Sequence, residues 1–325
     1  MDAIRLHETG GPRSLRIESV GRPEPAAGEV LVRVRAAALN RRDVFITQGK
    51  YPNITLPHTL GSDASGVLEE TGEEVILNPS LDWGDDPRVW GPAAGILGMP
   101  HDGTFAQYVA IARTNVHPKP PHLSFEQAAA LPLAGLTAYR AVFTRADIRR
   151  GETVLVTGIG GGVQTFALLF AKAAGARVAV TSSSDAKLQR ARDLGADIAV
   201  NYRTDANWHK TVRKEAESID AVIDSAGGES FARSLTIVKP GGRVVTYGGT
   251  NVESTIRLFP LFWNHLTIMG TSMGSPHDFK AMLELVSAEK IVSAVDRVYA
   301  MNDVCAAMER LEEGAQFGKI VLAIA

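Results

Sequence analysis

The sequence predicts an α/β protein with two parts, a β-rich, barrel-like module and a doubly wound parallel sheet. Three observations predict this fold class. Short runs with a two-residue hydrophobic period, bounded by Pro and Gly, occupy about the first 122 residues. From residue 153 onward, β-branched runs alternate with segments of helical periodicity, which is typical of parallel strands joined by helical crossovers. A glycine-rich turn separates the first of these strands from the first helix.

The β-rich module contains alternating runs that are too short for helices. The clearest covers residues 30–35 and follows Pro23, Pro25 and Gly28. Further strands are predicted at residues 66–68, 74–77 and 105–109. Residues 78–103 are rich in Gly, Pro and Asp, and we expect them to form a loop.

The pattern changes near residue 123, where the parallel-sheet domain is predicted to begin. Ser124, followed three residues later by Gln127, forms a capping-box pattern that predicts a helix through residue 130. A second helix is predicted at residues 133–146. Helical and β-branched segments alternate from there to about residue 270, so we expect one sheet with helical connections.

Six parallel strands are expected in this sheet. They begin at or include Val154, Val178, Ala199, Ala221, Arg243 and Leu266. After the last strand, helices are predicted at 278–288 and 302–312, with strands at 297–300 and 319–324. The final strand could pair with the β-rich module.

The glycine turn has the composition of a phosphate-binding loop. A strand at residues 153–157 leads into Gly158-x-Gly160-Gly161-Gly162, and a helix is predicted at 163–174. Glycines let the backbone approach a pyrophosphate, whose charge is met by free N–H groups at the helix N-terminus. A strict G-x-G-x-x-G pattern would need glycine at Val163, so an ordinary tight turn remains an alternative.

The next strand carries information about which dinucleotide binds. The strand at 177–181 ends about 20 residues after the glycines, where an NAD-binding unit places a carboxylate for the ribose 2′-hydroxyl. This chain has three serines there, followed by Lys187 and Arg190. Hydroxyls and cations favour a 2′-phosphate and therefore NADP(H). In the alternative interpretation, Ser184 only caps a helix at 185–193.

Composition excludes several classes of function. The 325 residues are 45% hydrophobic, which is enough to build proper cores, and 34 Lys and Arg balance 36 Asp and Glu. We therefore expect neither nucleic acid nor a membrane as a partner, and without an apolar leader or span we expect a cytoplasmic protein. Cys305 is the only cysteine, which excludes an intramolecular disulfide and a zinc site made of cysteines.

Five motifs in their order along the chain resemble one family over essentially its whole length. They are ALNRRDV at 38–44, LGSDASGV at 60–67, LPLAGLTAY at 131–139, VTGIGGGV at 156–163 and GKIV at 318–321. This order resembles the medium-chain dehydrogenase/reductase superfamily, and within it the zinc-independent quinone oxidoreductase-like branch. The resemblance implies a chaperonin-10-like catalytic domain at residues 1–122 and 274–325. It also implies a Rossmann NADP-binding domain at 123–273, with the cofactor in the cleft.

Two departures from the zinc alcohol dehydrogenases argue against a metal. Where those enzymes have a cysteine before the aspartate of the first motif, this chain has Arg42, and where they read Gly-His-Glu it has Gly61-Ser62-Asp63. The four-cysteine structural lobe is missing as well. Four histidines could be imagined as ligands, but they are scattered among prolines without a ligand spacing, at His58, His101, His117 and His122.

The resemblance also implies site residues. On the cofactor side these are Thr137, Gly158, Gly160, Gly161, Gly162, Val163, Ser183, Lys187, Tyr202, Gly248, Gly249, Met269, Gly270 and Thr271. On the substrate side they are Asn40, Phe45, Tyr51, Ser62 and Asp63. For Asn40 and Asp63, fixing a turn or capping a helix is an alternative to direct chemistry, and Tyr202 has the alternative of an exposed loop position.

A chain without a catalytic metal suits a particular class of substrate. Reduction of a simple ketone produces an alkoxide that needs a Lewis acid or a strong proton donor, and no Tyr-x-x-x-Lys pair is present. Hydride addition to a quinone or an enone instead gives a delocalised anion. We therefore predict an NADPH-dependent oxidoreductase for quinones or α,β-unsaturated carbonyls. A zinc-independent alcohol or aldehyde reductase, with Tyr51 or Ser62 as donor, and a non-catalytic NADPH-binding sensor remain alternatives.

The last strand of the sheet predicts a homodimer. Residues 266–270 are apolar at alternate positions and contain neither Pro nor Lys to protect an exposed edge. We expect this strand to pair with its copy across a two-fold axis, as the resemblance also implies. An edge covered within a monomer is the alternative.

Overall fold

The computed structural model describes residues 1–248, 251 and 253–324. The chain forms two compact units, which are described separately. Unit 1 contains residues 1–136 and 274–325, and unit 2 contains residues 137–273.

The first 136 residues form ten strands and the first helices. The strands are β1 Asp2–Leu6, β2 Leu15–Ser19, β3 Glu29–Ala38, β4 His58–Thr59, β5 Asp63–Leu68, β6 Glu74–Leu77, β7 Ser80–Leu81, β8 Gly95–Ile96, β9 Tyr108–Ala112 and β10 Val116–Pro118. The helices are α1 Arg41–Thr47, α2 Phe125–Ala129 and α3 Pro132–Tyr139, the last of which crosses the boundary between the units.

Unit 2 alternates strands and helices. Its strands are β11 Thr153–Val156, β12 Arg177–Ser182, β13 Ile198–Asn201, β14 Ile219–Asp224, β15 Val238–Thr246 and β16 Thr267–Gly270. A π-helical segment, Arg140–Arg145, continues α3, and the further helices are α4 Gly162–Ala173, α5 Asp185–Asp193, α6 Trp208–Ala216, α7 Gly228–Ser234 and α8 Leu258–Trp263. The C-terminal part of unit 1 contributes α9 Pro276–Ala288, β17 Val295–Ala300, α10 Val304–Glu312 and β18 Lys319–Ala323.

Unit 1 is built mainly on antiparallel strands, with one parallel pair, β17 and β18. Its main sheet has the order β10-β6-β5-β3-β18-β17, and β9 also pairs with β3. Strand β18 pairs antiparallel with β3, so the end of the chain completes the β-rich unit as expected. Apolar residues from distant parts of the chain, such as Leu39, Phe105, Met308 and Leu322, share one buried core.

Residues 123–136, which the sequence assigns to the parallel-sheet domain, lie in unit 1, so α2 and the start of α3 are part of the β-rich unit. The capping box of Ser124 and Gln127 does open α2, but this helix is held by the β-rich sheet. The Ser65 hydroxyl donates to the Phe125 carbonyl at 2.5 Å. The Leu133 N–H donates to Asp63 at 2.8 Å. Such contacts depend on residues far apart in sequence, which a local change of pattern does not reveal.

Unit 2 is a doubly wound parallel sheet with the order β13-β12-β11-β14-β15-β16. This is the strand order of a dinucleotide-binding fold, with the order reversing beside β11. The central strands β11 and β14 are buried on both faces, which explains why they are nearly continuous apolar runs rather than alternating ones. Edge strand β16 pairs with β15 alone among the described strands.

Two differences from the predicted elements lie in unit 1. Residues 78–103 contain a short antiparallel hairpin, β7 and β8, within the expected loop. The strand expected at 105–109 begins at Tyr108, because Ala106 makes only an isolated bridge with Ala3. Within the described residues, none of the helices combines the length and apolar character needed to cross a lipid bilayer.

Candidate functional site

Helix α1 and the start of β5 bring the predicted substrate-side residues of unit 1 together. The Asn40 N–H donates to Asp43 Oδ2 at 2.7 Å, which fixes the first turn of the helix. The Asn40 side-chain amide donates to Asp63 Oδ2 at 2.9 Å. Phe45 lies on the same helix and is partly exposed.

Asp63 is fully buried, and both of its carboxylate oxygens are engaged. Oδ2 accepts from the Lys319 ammonium at 2.9 Å as well as from Asn40, and Oδ1 accepts the Leu133 N–H at the start of α3. The same ammonium donates to Asn40 Oδ1 at 2.6 Å. Asp63 and Asn40 therefore have the contacts of positioning residues, which join β5, α3 and β18 and fix the start of α1.

Arg42 is the centre of a second cluster. Its Nη1 donates to Ser62 Oγ at 2.7 Å and to the Leu97 carbonyl at 2.9 Å. Its Nε donates to the Tyr51 hydroxyl at 3.2 Å, and the guanidinium also lies 4.8 Å from the Tyr51 ring centre. One guanidinium thus connects Tyr51 and Ser62, two of the predicted substrate-side residues.

The carboxylate of α1, Asp43, has no charged hydrogen-bond partner among the described residues. Asp43 is fully buried, and its Oδ1 has no hydrogen-bond partner in the described part of the chain. Desolvation raises the pKa of Asp43 to about 6, although the nearby charge of Arg42 opposes this rise. At neutral pH the structure therefore holds a carboxylate that burial disfavours.

In unit 2, the glycine turn adopts the backbone conformation that glycine makes accessible. Gly158 and Gly160 have φ of 67° and 144°. Gly161 is the N-cap of α4, and Gly162 and Val163 begin the helix, so free N–H groups of its first turn face the end of the turn. Gln164, at the third helical position, donates to Ser225 Oγ at 2.5 Å.

Two neighbouring strands hold this turn in place. The N–H groups of Gly158 and Ile159 donate to the Thr181 hydroxyl and carbonyl, at 3.2 and 2.7 Å. On the other side, the Thr157 hydroxyl donates to Asp224 Oδ1 at 2.7 Å. The turn is therefore fixed at the carboxyl ends of β11, β12 and β14, where doubly wound sheets bind their ligands.

Lys187 lies over the glycine turn. A Cβ placed on Gly160 would be 2.9 Å from Lys187 Cδ and 3.1 Å from its Nζ. The Ser184 hydroxyl accepts the Lys187 N–H at 3.4 Å and caps α5, so the capping alternative holds for Ser184. Ser183 is half-buried just before it. Capping and ligand binding are compatible here, because they use different serines.

The other predicted cofactor residues lie at strand ends or on α3. Tyr202 follows β13, is 43% exposed and donates its N–H to the Ser182 carbonyl. Gly248 follows β15, Met269 and Gly270 end β16, and Thr271 comes next. Thr137 is buried on α3, and Gly249 lies outside the described residues.

These residues of unit 2 fit a dinucleotide. The glycine turn is open to a phosphate, and a side chain at Gly160 would fill the space beside Lys187. The buried Thr271 hydroxyl has no hydrogen-bond partner among the described residues, which leaves it for a ligand. Gly158, Gly160, Gly161, Gly162, Lys187 and Thr271 would therefore hold the cofactor.

The residues of unit 1 do not fit a catalytic zinc ion. Arg42 is a cation without a lone pair for a metal, Ser62 accepts from that cation, and Asp63 is engaged by Lys319. In the part of the chain that the structure describes, no three His, Cys, Asp or Glu side chains are placed to hold a metal ion.

The histidines are explained by local packing. His58 lies 2.9 Å from the His101 carbonyl, and burial lowers its pKa. His117 stacks on Phe279 at 4.9 Å, and burial lowers its pKa too. His122 lies 3.0 Å from the Ile291 carbonyl, and His101 is exposed.

Sequence reasoning missed three residues that organise these sites. Arg42 was considered only as the replacement of a zinc ligand, although it connects Tyr51 and Ser62. Lys319 was considered only as part of a terminal motif, and Asp224 only as the end of a strand. No signal in the sequence marks Arg42 as buried, because it lies between the charged residues Arg41 and Asp43.

Two protein-family models together match most of the chain. The model of the alcohol dehydrogenase GroES-like domain matches residues 26–121. The model of the zinc-binding dehydrogenase matches residues 162–288. The first match falls in unit 1, and the second covers most of unit 2 and the start of the C-terminal part of unit 1.

Several curated proteins are similar to the chain over nearly its full length. A zinc-type alcohol dehydrogenase-like protein YogA of Leptosphaeria maculans is 38% identical, covering 95% of this chain and 94% of the relative. An acryloyl-coenzyme A reductase of Metallosphaera sedula is 31% identical, with 96% and 97% covered. A quinone oxidoreductase of Mus musculus is 29% identical, with 99% and 97% covered.

Solved structures are similar as well. A crystal structure of an NAD-dependent alcohol dehydrogenase has a TM-score of 0.93 and 37% identity, with 100% of both chains covered. The 2-octenoyl-CoA carboxylase reductase CinF, in complex with NADP and 2-octenoyl-CoA, has a TM-score of 0.90 and 25% identity, with 99% of this chain and 87% of the other covered. Together these matches indicate a GroES-like domain combined with a Rossmann-type dinucleotide-binding domain.

Proposed function

The chain belongs to the medium-chain dehydrogenase/reductase superfamily and is an oxidoreductase of that type, and from this premise we propose a narrower function. The protein reduces quinones or α,β-unsaturated carbonyl compounds with NADPH and without a metal. The observation that carries this proposal is the Arg42 cluster, in which Arg42 and Ser62, at positions where zinc enzymes have metal ligands, bond each other, and Arg42 also bonds the Tyr51 hydroxyl.

The chemistry of these hydroxyls suits a conjugated substrate. A bound nicotinamide cofactor supplies a hydride. When the β-carbon of an enone accepts a hydride, negative charge moves to the carbonyl oxygen. Tyr51 is half-buried and can donate a hydrogen bond to that oxygen, because its own oxygen already accepts from Arg42. Ser62 is fully buried and bonds Arg42 from the other side. Water can then protonate the delocalised anion, so the chain needs no Lewis acid.

Two relatives support this substrate class and one supports an alternative. Quinone oxidoreductase and acryloyl-coenzyme A reductase both act on conjugated carbonyl systems. The NAD-dependent alcohol dehydrogenase of high structural similarity instead favours reduction at a carbonyl carbon. The alternative is therefore an alcohol or aldehyde reductase that uses Tyr51 or Ser62 as its proton donor.

One experiment separates these functions. A cyclic enone, a para-benzoquinone and a simple ketone are offered with cofactor that is deuterated at the transferred position. We expect turnover of the quinone, and a saturated ketone from the enone with deuterium on its β-carbon. An allylic alcohol with deuterium on the carbinol carbon would establish the alternative. Cofactor binding without turnover of any compound would favour a non-catalytic sensor.

The cofactor preference for NADPH rests on Lys187, Ser183 and Tyr202 in unit 2. The Lys187 ammonium lies beside Gly160, and no carboxylate follows β12 at the position that would bind a ribose 2′-hydroxyl. A hydrogen bond to a 2′-phosphate contributes about 1.5–3 kcal/mol, or roughly ten- to a hundredfold in binding.

Dissociation constants for NADPH and NADH test this preference. Lys187→Ala should weaken NADPH roughly ten- to a hundredfold and NADH much less. Lys214→Ala removes an exposed cation from α6 and serves as the matched control. Equal losses for both cofactors, or a wild type that prefers NADH, would contradict the assignment.

The homodimer is also a proposal, and an apolar surface on unit 2 adds support to it. Edge strand β16 is preceded by α8, on which Leu258, Phe259, Phe262 and Trp263 are 59–66% exposed. Exposed aromatic groups of this size are typical of contact surfaces. We propose that β16 and α8 together contact the second copy.

Light scattering at micromolar protein should give twice the chain mass of 34.8 kDa. Trp263→Lys should shift the mass toward that of the monomer, because it buries a charge in the proposed contact. Val89→Lys, at an exposed position of unit 1, is the control. A wild type with monomer mass would refute the dimer.

A further inference from the structure

The N-terminus of α4 is capped differently from the N-termini of α2, α5 and α9. In those three helices the N-cap is a serine, Ser124, Ser184 or Ser275, whose hydroxyl oxygen accepts the N–H of the third helical residue. The N-cap of α4 is Gly161, which has no side chain. The first hydrogen bond of α4 runs from the Thr165 N–H to the Gly161 carbonyl at 3.1 Å, so the N–H groups before it need acceptors from outside the helical ladder.

The side chain of Gln164, the third residue of α4, lies in the space of the missing cap. A Cβ placed on Gly161 would be 2.4 Å from Gln164 Oε1 and 3.6 Å from its Nε2, so the carboxamide turns its oxygen toward the glycine. The φ of Gly161 is −86°, which other residues adopt as well. Space rather than backbone conformation therefore requires glycine at this position, because a larger residue would collide with the carboxamide.

Ser225, which follows β14, holds the carboxamide in this orientation. Gln164 Nε2 donates to Ser225 Oγ at 2.5 Å. The Ser225 hydroxyl directs its own proton toward the Thr157 carbonyl at 3.5 Å, and the Ser225 N–H donates to the Thr157 hydroxyl at 3.3 Å. With the amide nitrogen on Ser225, the amide oxygen remains as an acceptor beside Gly161. An acceptor at this point of a helix has the role of a serine cap.

A bound diphosphate and this amide oxygen compete for the same end of α4. Phosphate oxygens bind at helix N-termini because free N–H groups and the positive end of the helix dipole face them. The Gln164 side chain can rotate away from the glycine turn, but the N–H groups then lose their internal acceptor. The ligand therefore gains only the difference between its own oxygens and the oxygen that the chain already supplies.

We infer that Gln164 caps α4 internally and thereby lowers the affinity of the glycine turn for the diphosphate of any dinucleotide. This inference goes beyond the proposed function, since it requires neither a particular substrate nor a 2′-phosphate. NAD⁺ and NADP⁺ carry the same diphosphate, so the effect of Gln164 should be equal for the two cofactors. The effect of Lys187 differs, because it should fall mainly on NADP⁺.

Dissociation constants of NAD⁺ and NADP⁺, measured by calorimetry without substrate, test the inference. Gln164→Ala should bind both dinucleotides roughly three- to thirtyfold more tightly and by the same factor, which is the range expected when a helix cap is removed from the competition. Without cofactor, the same variant should unfold at a lower denaturant concentration, because α4 has lost its cap. Tighter binding by a less stable protein is a combination that a merely structural role of Gln164 would not produce.

Gln164→Glu tests the inference in the opposite direction. A carboxylate at the third helical position is a good cap and interacts favourably with the helix dipole, but it repels a phosphate. This variant should bind both dinucleotides at least about tenfold more weakly than the wild type. The cofactor-free protein should be no less stable, which shows that the loss of affinity does not come from unfolding.

Gln189→Ala is the matched control. Gln189 is an exposed glutamine of α5 in the same unit, and its amide donates to Asp193 at 3.0 Å. The same side chain is removed there without a change at the glycine turn, so both dissociation constants should stay at their wild-type values.

The outcomes distinguish the inference from the proposed cofactor preference. Weaker binding of both dinucleotides to Gln164→Ala would show that the amide contacts the ligand and would overturn the inference, as would unchanged constants or a gain for NADP⁺ alone. A wild type that prefers NAD⁺, combined with an equal gain for both dinucleotides in Gln164→Ala, supports the internal cap and contradicts the proposed preference instead.

Discussion

Two buried cations of unit 1 have different kinds of partner. Lys319 is 4% exposed and bonds the carboxylate of Asp63 at 2.9 Å. Arg42 is 9% exposed and bonds hydroxyl and carbonyl oxygens only. Both side chains come from motifs by which the family is recognised, so their position in the sequence does not distinguish them.

The difference shows how a buried charge can serve structure or binding. The charge of Lys319 is neutralised within the fold, and Asp63 also receives the N–H of Leu133, so this cluster fixes the relative positions of elements in unit 1. Among the described residues Arg42 bonds no carboxylate directly, and its charge acts on the neighbouring Asp43 only through space. Four predictions test this contrast.

The largest effect is expected on stability when the neutralised pair is broken. Asp63→Ala should lower the free energy of unfolding by about 3–5 kcal/mol, because it leaves the Lys319 charge buried and unpaired. Denaturant titration measures the change. The double variant Asp63→Ala with Lys319→Met should recover a large part of it.

The control for this prediction is Glu309→Ala, which breaks an exposed pair with Arg13. That change should lower the free energy of unfolding much less, because solvent screens an exposed pair. A loss for Asp63→Ala no greater than for the control would show that the Lys319 charge is not buried in the way described.

The second prediction concerns activity at the other cation. Arg42→Met should lower kcat for an enone about 10²–10³-fold, equivalent to roughly 3–4 kcal/mol, as expected when oxyanion stabilisation is lost. Its free energy of unfolding should fall by less than that of Asp63→Ala. Steady-state kinetics and denaturant titration are compared on the same preparations. The opposite order, with Arg42→Met more destabilising and nearly fully active, would remove the distinction between the two cations.

The third prediction concerns the carboxylate beside Arg42. Burial raises the pKa of Asp43 from 3.8 to about 6, so the folded state binds this proton more tightly than the unfolded state. The stability contributed by Asp43 is therefore fully present below about pH 4 and is lost as the pH rises through 6, by roughly 2–3 kcal/mol in total.

Asp43→Asn should remove this dependence while keeping an acceptor for the Asn40 N–H. The difference in unfolding free energy between wild type and variant, measured from pH 4 to 7, should then move in favour of the variant as the pH rises. A constant difference over this range would show that Asp43 does not titrate there.

The smallest effect is expected from removing metal. Because Arg42 and Ser62 bond each other and Asp63 is engaged by Lys319, a chelator should leave activity unchanged. Elemental analysis of the purified protein should find no stoichiometric zinc. Suppose that about one zinc per chain is found and that chelation removes both the zinc and the activity. That result would overturn the metal-free proposal and the role of Arg42.

Much of unit 2 could be predicted from local pattern. Its strands are runs of β-branched residues, and the backbone of the glycine turn uses positive φ at Gly158 and Gly160, which few other residues adopt. The helix starting beside the turn and the cap at Ser184 also depend on neighbours only a few residues away. Such features are encoded within short segments, so the sequence predicts them without the tertiary structure.

Unit 1 shows where local pattern stops being sufficient. The capping box predicts α2, but only the contacts of α2 and α3 with Ser65 and Asp63, on a distant strand, place these residues in unit 1. From the sequence, Asn40 and Asp63 could have either a structural or a chemical role. Their hydrogen bonds to each other and to Lys319 favour the structural one.

The sequence by itself determined the fold class, the family, the glycine turn and the absence of a cysteine zinc site, because these follow from periodicity, motif order and residue type. Only the tertiary structure decided which buried charge is neutralised. Lys319 bonds the Asp63 carboxylate directly, whereas within the described residues Arg42 bonds the Ser62 and Tyr51 hydroxyls and no carboxylate. Whether a charge has a counter-ion depends on side chains that only folding brings within a few ångströms, and the interaction energy depends on that distance and on the water excluded around it.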